Sequence, residues 1–192
     1  MIYLLIASYL IGSISSAVII CKILGIPDPR TQGSKNPGAT NVLRLGGKKI
    51  AGFVLTFDGL KGATPVIIGH YLELGLIQLT LITLCAFLGH IFPVFFRFRG
   101  GKGVATYLGG LIVINLLAGL IFSVIWLLVA KVLKTSSLAA LIATALSPFY
   151  FYLITGDMAS TLIIGLISLL IFYTHRGNIK RLINKEEDVI QS

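Results

Sequence analysis

The run Gly103-Val-Ala-Thr-Tyr-Leu-Gly-Gly-Leu-Ile-Val-Ile-Asn-Leu-Leu-Ala-Gly-Leu-Ile-Phe-Ser-Val-Ile-Trp-Leu-Leu-Val-Ala130 holds 28 residues without a charge, and its reading decides the fold. As one α-helix it would measure about 42 Å against a hydrocarbon core of about 30 Å, so it is either one tilted span or two short arms. The charges around it choose. A single crossing would leave Lys131 and Lys134 outside, together with the tail cations Arg176, Lys180, Arg181 and Lys185. A turn between Asn115 and Gly119 makes all of them cytoplasmic and puts the acidic turns at Glu73 and Asp157 outside, which is the distribution that the positive-inside rule favours. The hairpin is therefore expected. Its first arm, about 13 residues or about 20 Å, is too short to cross an unthinned bilayer and needs shelter from neighbouring helices or a start deep in the membrane.

Working outward, 56% hydrophobic and 12% charged residues in a chain of 192 make the bilayer the solvent of one domain, 1–192. The first apolar run, Ile2 to Leu24, has no basic residue before it and no clean small-residue cleavage site, and so reads as a retained span and not a signal peptide. Further spans run from Ile50 to Tyr71, from the turn near Glu73 to Phe92, through the two arms of the hairpin, from Ser137 to Thr155 and from Met158 to Thr174. The expected fold class is all-α, a polytopic membrane protein of seven transmembrane helices, N-terminus outside and C-terminus cytoplasmic. The tail 184–192 is expected to fray.

In this topology the polar segments 33–44, 97–103, 131–137 and 175–181 all meet the cytoplasm, as one site built from several connections requires. The richest is Gly33-Ser-Lys-Asn-Pro-Gly-Ala-Thr-Asn-Val-Leu-Arg44. Its glycines free backbone N–H groups, its Ser, Thr and Asn side chains add short donors, and Lys35 and Arg44 add charge, which together describe an anion cradle. A polar turn with its cations among lipid headgroups fits the same residues.

Four other stretches stand out. Asp58 and Lys61 share a helix face within a span, where ionisable groups suggest function unless an internal ion pair accounts for them; the flanking Gly59 and Gly62 permit close helix packing or a local break. His90-Ile-Phe-Pro-Val-Phe-Phe-Arg-Phe-Arg-Gly-Gly-Lys-Gly103 sets Gly100, Gly101 and Gly103 around Lys102 at the start of a helix, which suits a phosphate oxygen, or else forms a flexible interfacial turn with snorkelling Arg97 and Arg99. Ser136 and Ser137 open a span, and capping is their first expected role. His175, Asn178 and Arg181 recur every third residue, so one face of a short helix would present imidazole, amide and guanidinium, unless the segment is a solvated tail.

Absences narrow the chemistry. No histidine is followed by Asp five positions later, and neither a Gly-x-Ser-x-Gly elbow nor a His-Glu-x-x-His motif occurs. Cys21 and Cys85 fall inside spans, so neither a disulfide nor a metal site is expected. The net charge of +9 sits at span ends and reflects orientation and anionic ligands, not nucleic acid.

In their order these motifs, with Asp58-x-x-Lys61-Gly62, His90-x-Phe92-Pro93, Gly100-Gly101-Lys102-Gly103-Val104-Ala105-Thr106, Ser136-Ser137 and His175-x-x-Asn178-Ile179-x-Arg181-Leu182, resemble over the whole chain the bacterial acyl-phosphate:glycerol-3-phosphate acyltransferases. The resemblance implies a multi-pass enzyme of the bacterial inner membrane, its active site facing the cytoplasm. Such an enzyme moves a fatty acyl group from acyl phosphate to the 1-hydroxyl of glycerol 3-phosphate, the first committed step of phospholipid synthesis. It implies no cofactor and no metal, membrane lipid as surroundings and, as expected here, a monomer. Departures are Ile14-Ser15 for the usual Ile-Pro, and Lys35 and Asn184 where glycine is common, though Glu186 falls at the place of the family's acid.

By the same resemblance Ser34, Asn36, Gly38, Ala39, Thr40 and Asn41 cradle one phosphate. Arg44, Lys102, Ser136, His175, Asn178 and Arg181 hold the second or orient the attacking hydroxyl. Lys102, His175 and Asn178 are the catalytic candidates, and Asp58, Lys61, Gly101, Gly103 and Ser137 complete the binding set. An acyl phosphate carries a good leaving group, so direct attack needs no covalent intermediate, and the enzyme has only to position two anions and stabilise an oxyanion. The rival from another class is a transporter or flippase for a phosphorylated solute or lipid, although the outer turns offer no matching polar cluster. A lipid-phosphate phosphatase lacks a recognisable nucleophile here.

Overall fold

The uncharged run is broken at its amide. In the computed structural model, which describes residues 1–189, α5 spans Val104–Ile114 and α6 spans Leu116–Leu133, with the extended Asn115 between them (φ −152°, ψ 109°). Asn115 Oδ1 accepts a hydrogen bond from Ala118 N at 2.9 Å and so caps α6. A β-carbon on Gly119 would lie 2.7 Å from Ile112 Cα, and the Tyr107 and Phe122 rings meet edge to face at 5.6 Å. These partners mirror each other about Asn115, so the arms run antiparallel, as the charge argument required. The short α5 is sheltered: Thr106, Tyr107, Gly109, Gly110, Leu111 and Ile114 are buried.

The other helices among the described residues are α1 (Ile2–Gly12), α2 (Ser16–Ile23), α3 (Ala39–Tyr71), α4 (Leu76–Ile91), α7 (Ser136–Thr155), α8 (Met158–Thr174) and α9 (Arg176–Ile183), with a 3-10 turn at Val94–Phe96. Four helical stretches are long and apolar enough to cross a membrane, α3, α4 continued through the 3-10 turn to Phe96, α6 and α7; counting the bent pairs α1–α2 and α8–α9 as one span each brings the number to six. α3 is kinked at Gly47 (φ 82°), which separates the helix start carrying Thr40 and Arg44 from the long apolar part.

The first span differs from expectation. It is not one helix but two, bent by 42° over Ser13 to Ser15. The break exposes the Ile14 carbonyl, which accepts a hydrogen bond from Lys61 Nζ at 2.8 Å. Lys61 also pairs with Asp58 Oδ1 at 2.8 Å, and Ser16 Oγ donates to that oxygen at 2.7 Å. Ser16, Asp58 and Lys61 are buried, so both charges and the Ile14 carbonyl find partners within the protein, as the membrane interior demands. Gly59 and Gly62 serve close packing and not a break. A β-carbon on Gly62 would meet Thr106 O at 1.9 Å, and one on Gly109 would meet Gly59 O at 2.0 Å, so α3 and α5 touch backbone to backbone.

Candidate active site

The site begins where α3 begins. Asn41 is buried, with its Oδ1 accepting from Ser34 N at 3.0 Å and its Nδ2 donating to Pro29 O at 2.8 Å and Gln32 O at 3.0 Å. It thereby folds the loop 29–34 across the helix start and uses up its own polar atoms in doing so. Gly38 stands extended at the N-cap and no side chain caps the helix. Among the described residues, the Ala39 and Thr40 N–H groups have no hydrogen-bond partner in the protein, which gives a helix end with free donors and a positive dipole end. Ser34, Lys35 and Thr40 are exposed beside it, and Asn36 is half-buried.

The second element is the start of α5. Gly101 N donates to His90 O at 3.2 Å, which fixes the connection, and Gly103 takes a left-handed conformation (φ 85°) at the N-cap. A β-carbon at Gly103 would strike the Phe87 ring 2.1 Å away, so both conformation and space ask for glycine. No side chain caps this helix either. Lys102 is half-buried; its carbonyl accepts from Thr174 Oγ1 at 3.2 Å, and its Nζ donates to Asn178 Oδ1 at 2.6 Å. Burial pushes the Lys102 ammonium down to about 8, Glu187 opposes that shift, and the charges of Arg181 and Arg44 add to it.

The third element is the bend of 60° between α8 and α9. His175 is buried there, and its Nδ1 lies 2.9 Å from Ile171 O. Since a carbonyl only accepts, Nδ1 carries the hydrogen and Nε2 keeps its lone pair. Burial and the neighbouring Lys102 charge push His175 down to about 4, although the Ile171 hydrogen bond and Glu187 work the other way. It is therefore neutral near pH 7. One turn on, Asn178 is buried as well, and Arg181 follows on the same face, so the spacing of three does produce a shared face.

Several expectations are corrected here. Ser136 and Ser137 do not cap α7: Thr135 holds the N-cap position, without a side-chain hydrogen bond, and the two serines reach across the site. Ser136 Oγ lies 3.3 Å from Thr40 Oγ1, and Ser137 Oγ donates to Glu187 Oε1 at 2.7 Å. The tail does not fray over 184–189. Lys185 N donates to Leu182 O and Glu186 N to Arg181 O, with Lys185 left-handed (φ 60°), and this turn sends the chain back over the site. The place that favours glycine is thus Lys185 and not Asn184. The acid that meets the site is Glu187 and not Glu186. The fraying expected for 190–192 lies outside the described residues.

Glu187 is what the sequence reading missed. Its Oε1 accepts from Asn178 Nδ2 at 2.5 Å and from Ser137, and its Oε2 accepts from Arg181 Nε at 2.7 Å. Burial alone would raise this carboxyl, but the hydrogen bonds from Ser137, Asn178 and Arg181 and the Arg181 charge outweigh it and hold the group below its usual range. Next to it Asp188 pairs with Arg44 at 2.9 Å. The available signal was the run of acids Glu186 to Asp188 directly after the tail cations.

Asp58 and Lys61 stand apart from this cluster; their polar partners are each other, Ser16 and the Ile14 carbonyl, with His90 Nδ1 3.7 Å from Asp58 and 3.2 Å from Thr106 Oγ1. What does converge, from the starts of α3, α5 and α7 and from α9, is three cations, Arg44, Lys102 and Arg181, with short donors and the uncapped starts of α3, α5 and α7. Such a site can hold two phosphate groups side by side and supply donors to a developing oxyanion. 

Residues 2–185 match the family model described as glycerol-3-phosphate acyltransferase. A protein of that name from Ruthia magnifica subsp. Calyptogena magnifica is 61% identical over 189 residues, which is 98% of this chain and 96% of the relative. Another, from Hydrogenovibrio crunogenus, is 49% identical over 96% of this chain and 88% of its own length. Crystal structures of PlsY (YgiH), an integral membrane glycerol 3-phosphate acyltransferase, superpose with TM-scores of 0.94 for the glycerol 3-phosphate form and 0.91 for the lysophosphatidic acid form. Both are 36% identical to this chain and cover 99% and 98% of it, with 95% and 94% of their own chains matched.

Proposed function

The chain belongs to the glycerol-3-phosphate acyltransferase family, and from that premise we propose that it transfers a fatty acyl group from acyl phosphate to the 1-hydroxyl of glycerol 3-phosphate, releasing phosphate and 1-acylglycerol 3-phosphate. The observation that carries this reading is the gathering of Arg44, Lys102 and Arg181 from three connections close enough for the two guanidinium charges to depress the lysine. Arg44 and Arg181 have carboxylate partners in Asp188 and Glu187, but Lys102 rests on the neutral Asn178 amide, and a partly buried cation beside two guanidinium groups favours the phosphates that this reaction brings.

In this reading the glycerol hydroxyl oxygen attacks the acyl carbon, and the carbonyl oxygen becomes an oxyanion that Lys102 and the donors at the start of α5 stabilise. The carbon–oxygen bond to the phosphate then breaks, and the departing phosphate takes the hydroxyl proton. The pattern at His175 supports an orienting role: neutral, with Nδ1 anchored on Ile171 O, it offers Nε2 as an acceptor for the hydroxyl without having to ionise. Ser34, Asn36, Gly38, Ala39 and Thr40 line the first phosphate site, with Asn41 acting through the loop it holds. Arg44, Ser136, Asn178 and Arg181 serve the second, Gly101 and Gly103 shape the approach to Lys102, and Ser137 acts through Glu187. Asp58 and Lys61 enter as an internal brace. Seven crossings, with α5 and α6 as two of them and the site on the cytoplasmic face of the bacterial inner membrane, complete the proposal; the clustering of cations on one side supports it.

The test is phosphate release by the purified protein in detergent, given palmitoyl phosphate with and without glycerol 3-phosphate and no added metal. Release that depends on glycerol 3-phosphate and is matched by lysophosphatidate is the expected result. Release without the acceptor points to a phosphatase, and no release with solute flux in proteoliposomes points to a transporter; either overturns the proposal.

A further inference from the structure

Glu187 touches no substrate in the reading above, yet it is the carboxylate bound to Arg181 and Asn178 and felt by Lys102. An amide side chain can present either its oxygen or its nitrogen to a given neighbour, and the neighbours decide which. On one side of Asn178 stands Glu187, which when ionised only accepts; on the other stands the Lys102 ammonium, which only donates. The amide therefore has a single favourable orientation, with Nδ2 toward Glu187 and Oδ1 toward Lys102. The opposite orientation would set N–H against ammonium and oxygen against carboxylate. Arg181 is treated in a similar way: Glu187 engages its Nε edge, leaving the outer N–H groups of the guanidinium free of that bond. Ser137 and the reversed turn at Lys185 hold the carboxylate in place from two further directions.

We propose that Glu187 is a positioning residue for acyl transfer, one that fixes the orientation of the Asn178 amide and through it aims Lys102, while turning the outer edge of Arg181 toward the phosphates. This rests on the acyl-transfer reading and deepens it. The alternative is that Glu187 merely ties the tail to α7 and α9. The two differ at Lys102, whose charged and titratable surroundings are Glu187, Arg181 and His175 from the α9 side and Arg44 from α3. Of these only Glu187 favours the ammonium form, so losing its charge lowers the pH at which Lys102 gives up its proton.

The experiment measures kcat and the pH profile of kcat/KM for the full-length protein, from phosphate release with palmitoyl phosphate and glycerol 3-phosphate, in wild type, Glu187→Gln, Glu187→Asp and Lys102→Ala. Glu187→Gln is expected to lower kcat about tenfold and to move the alkaline limb to lower pH. Glu187→Asp, which keeps the charge but withdraws it by one methylene, is expected to lower kcat while leaving the limb in place. A Glu187→Gln enzyme with reduced turnover and an unmoved limb reduces Glu187 to a tie and overturns the proposal. Should Glu187→Gln not fold, Glu187→Asp decides alone, because wild-type turnover in that variant equally overturns it. Wild-type turnover in Lys102→Ala is a different failure, that of the acyl-transfer site itself.

Discussion

Lys102 Nζ donates to Asn178 Oδ1 across 2.6 Å, a bond that joins connections separated by 76 positions in the chain. It ties the start of α5 to the middle of α9 and holds the lysine within electrostatic reach of Arg181 and of Arg44 near the start of α3. A long flexible cation held by a buried amide has already given up much of its rotamer freedom before any substrate arrives, which is the condition for electrostatic stabilisation without reorganisation.

Removing either partner therefore acts on the transition state. Lys102→Ala and Asn178→Ala are each expected to lower kcat by at least about tenfold, as loss of a positioned charge or hydrogen bond does. Near-native turnover in both variants would dismantle the site as assembled here.

Turnover should also depend on the charge of Lys102. Its pKa is lowered to about 8, so the cation is present below that pH and is lost as the pH rises through it. In the free enzyme kcat/KM is accordingly expected to fall on the alkaline side with a midpoint near pH 8. In Lys102→Arg the guanidinium stays charged, and that limb should disappear whatever turnover remains. A limb that survives the exchange belongs to another group.

His175 is expected to leave the profile's shape alone. Its pKa is lowered to about 4, so it is neutral across the working range and has no proton to lose there. His175→Asn, which can still donate to Ile171 O but lacks the Nε2 acceptor, should reduce kcat without abolishing an acid limb. An acid limb near the ordinary histidine value of about 6.5 that vanishes in His175→Asn would make it a general base instead.

The Asp58–Lys61 pair should behave as a brace. Lys61→Met leaves the Asp58 carboxylate buried without its cation and the Ile14 carbonyl without a donor, and breaking such a pair costs about 3–5 kcal/mol of stability. The double variant Asp58→Asn with Lys61→Met is expected to recover much of that loss, as read by thermal unfolding in detergent. Additive losses would show that the two charges act separately.

Asn115→Ala removes the cap of α6 at the hairpin and is expected to cost about 1 kcal/mol in the same unfolding measurement, while kcat stays near wild type because the cap lies at the far end of α5 from Lys102. A large drop in kcat with unchanged stability would contradict that separation.

Much of this molecule is legible without coordinates because the bilayer is a strict solvent. Long apolar runs must be helices, and cations at their ends report on the inner face; the same two facts split the run from Gly103 to Ala130 at Asn115. The spacing of His175, Asn178 and Arg181 could be read as one face because helical periodicity is local. What only the tertiary structure decided depends on partners far apart in the chain. The break in the first span is stable because Lys61, 47 positions away, supplies a donor to the Ile14 carbonyl. Ser136 and Ser137 look like caps and instead reach Thr40 and Glu187, 96 and 50 positions distant. Glu187 itself, in a tail that reads as solvated, becomes the counterion of the site only because the turn at Lys185 returns it to Arg181 and Asn178. Local pattern determines which segments are helical and where the chain turns between them; the pairing of buried polar groups is settled by three-dimensional proximity, since each must find a partner somewhere in the fold and sequence distance does not limit where.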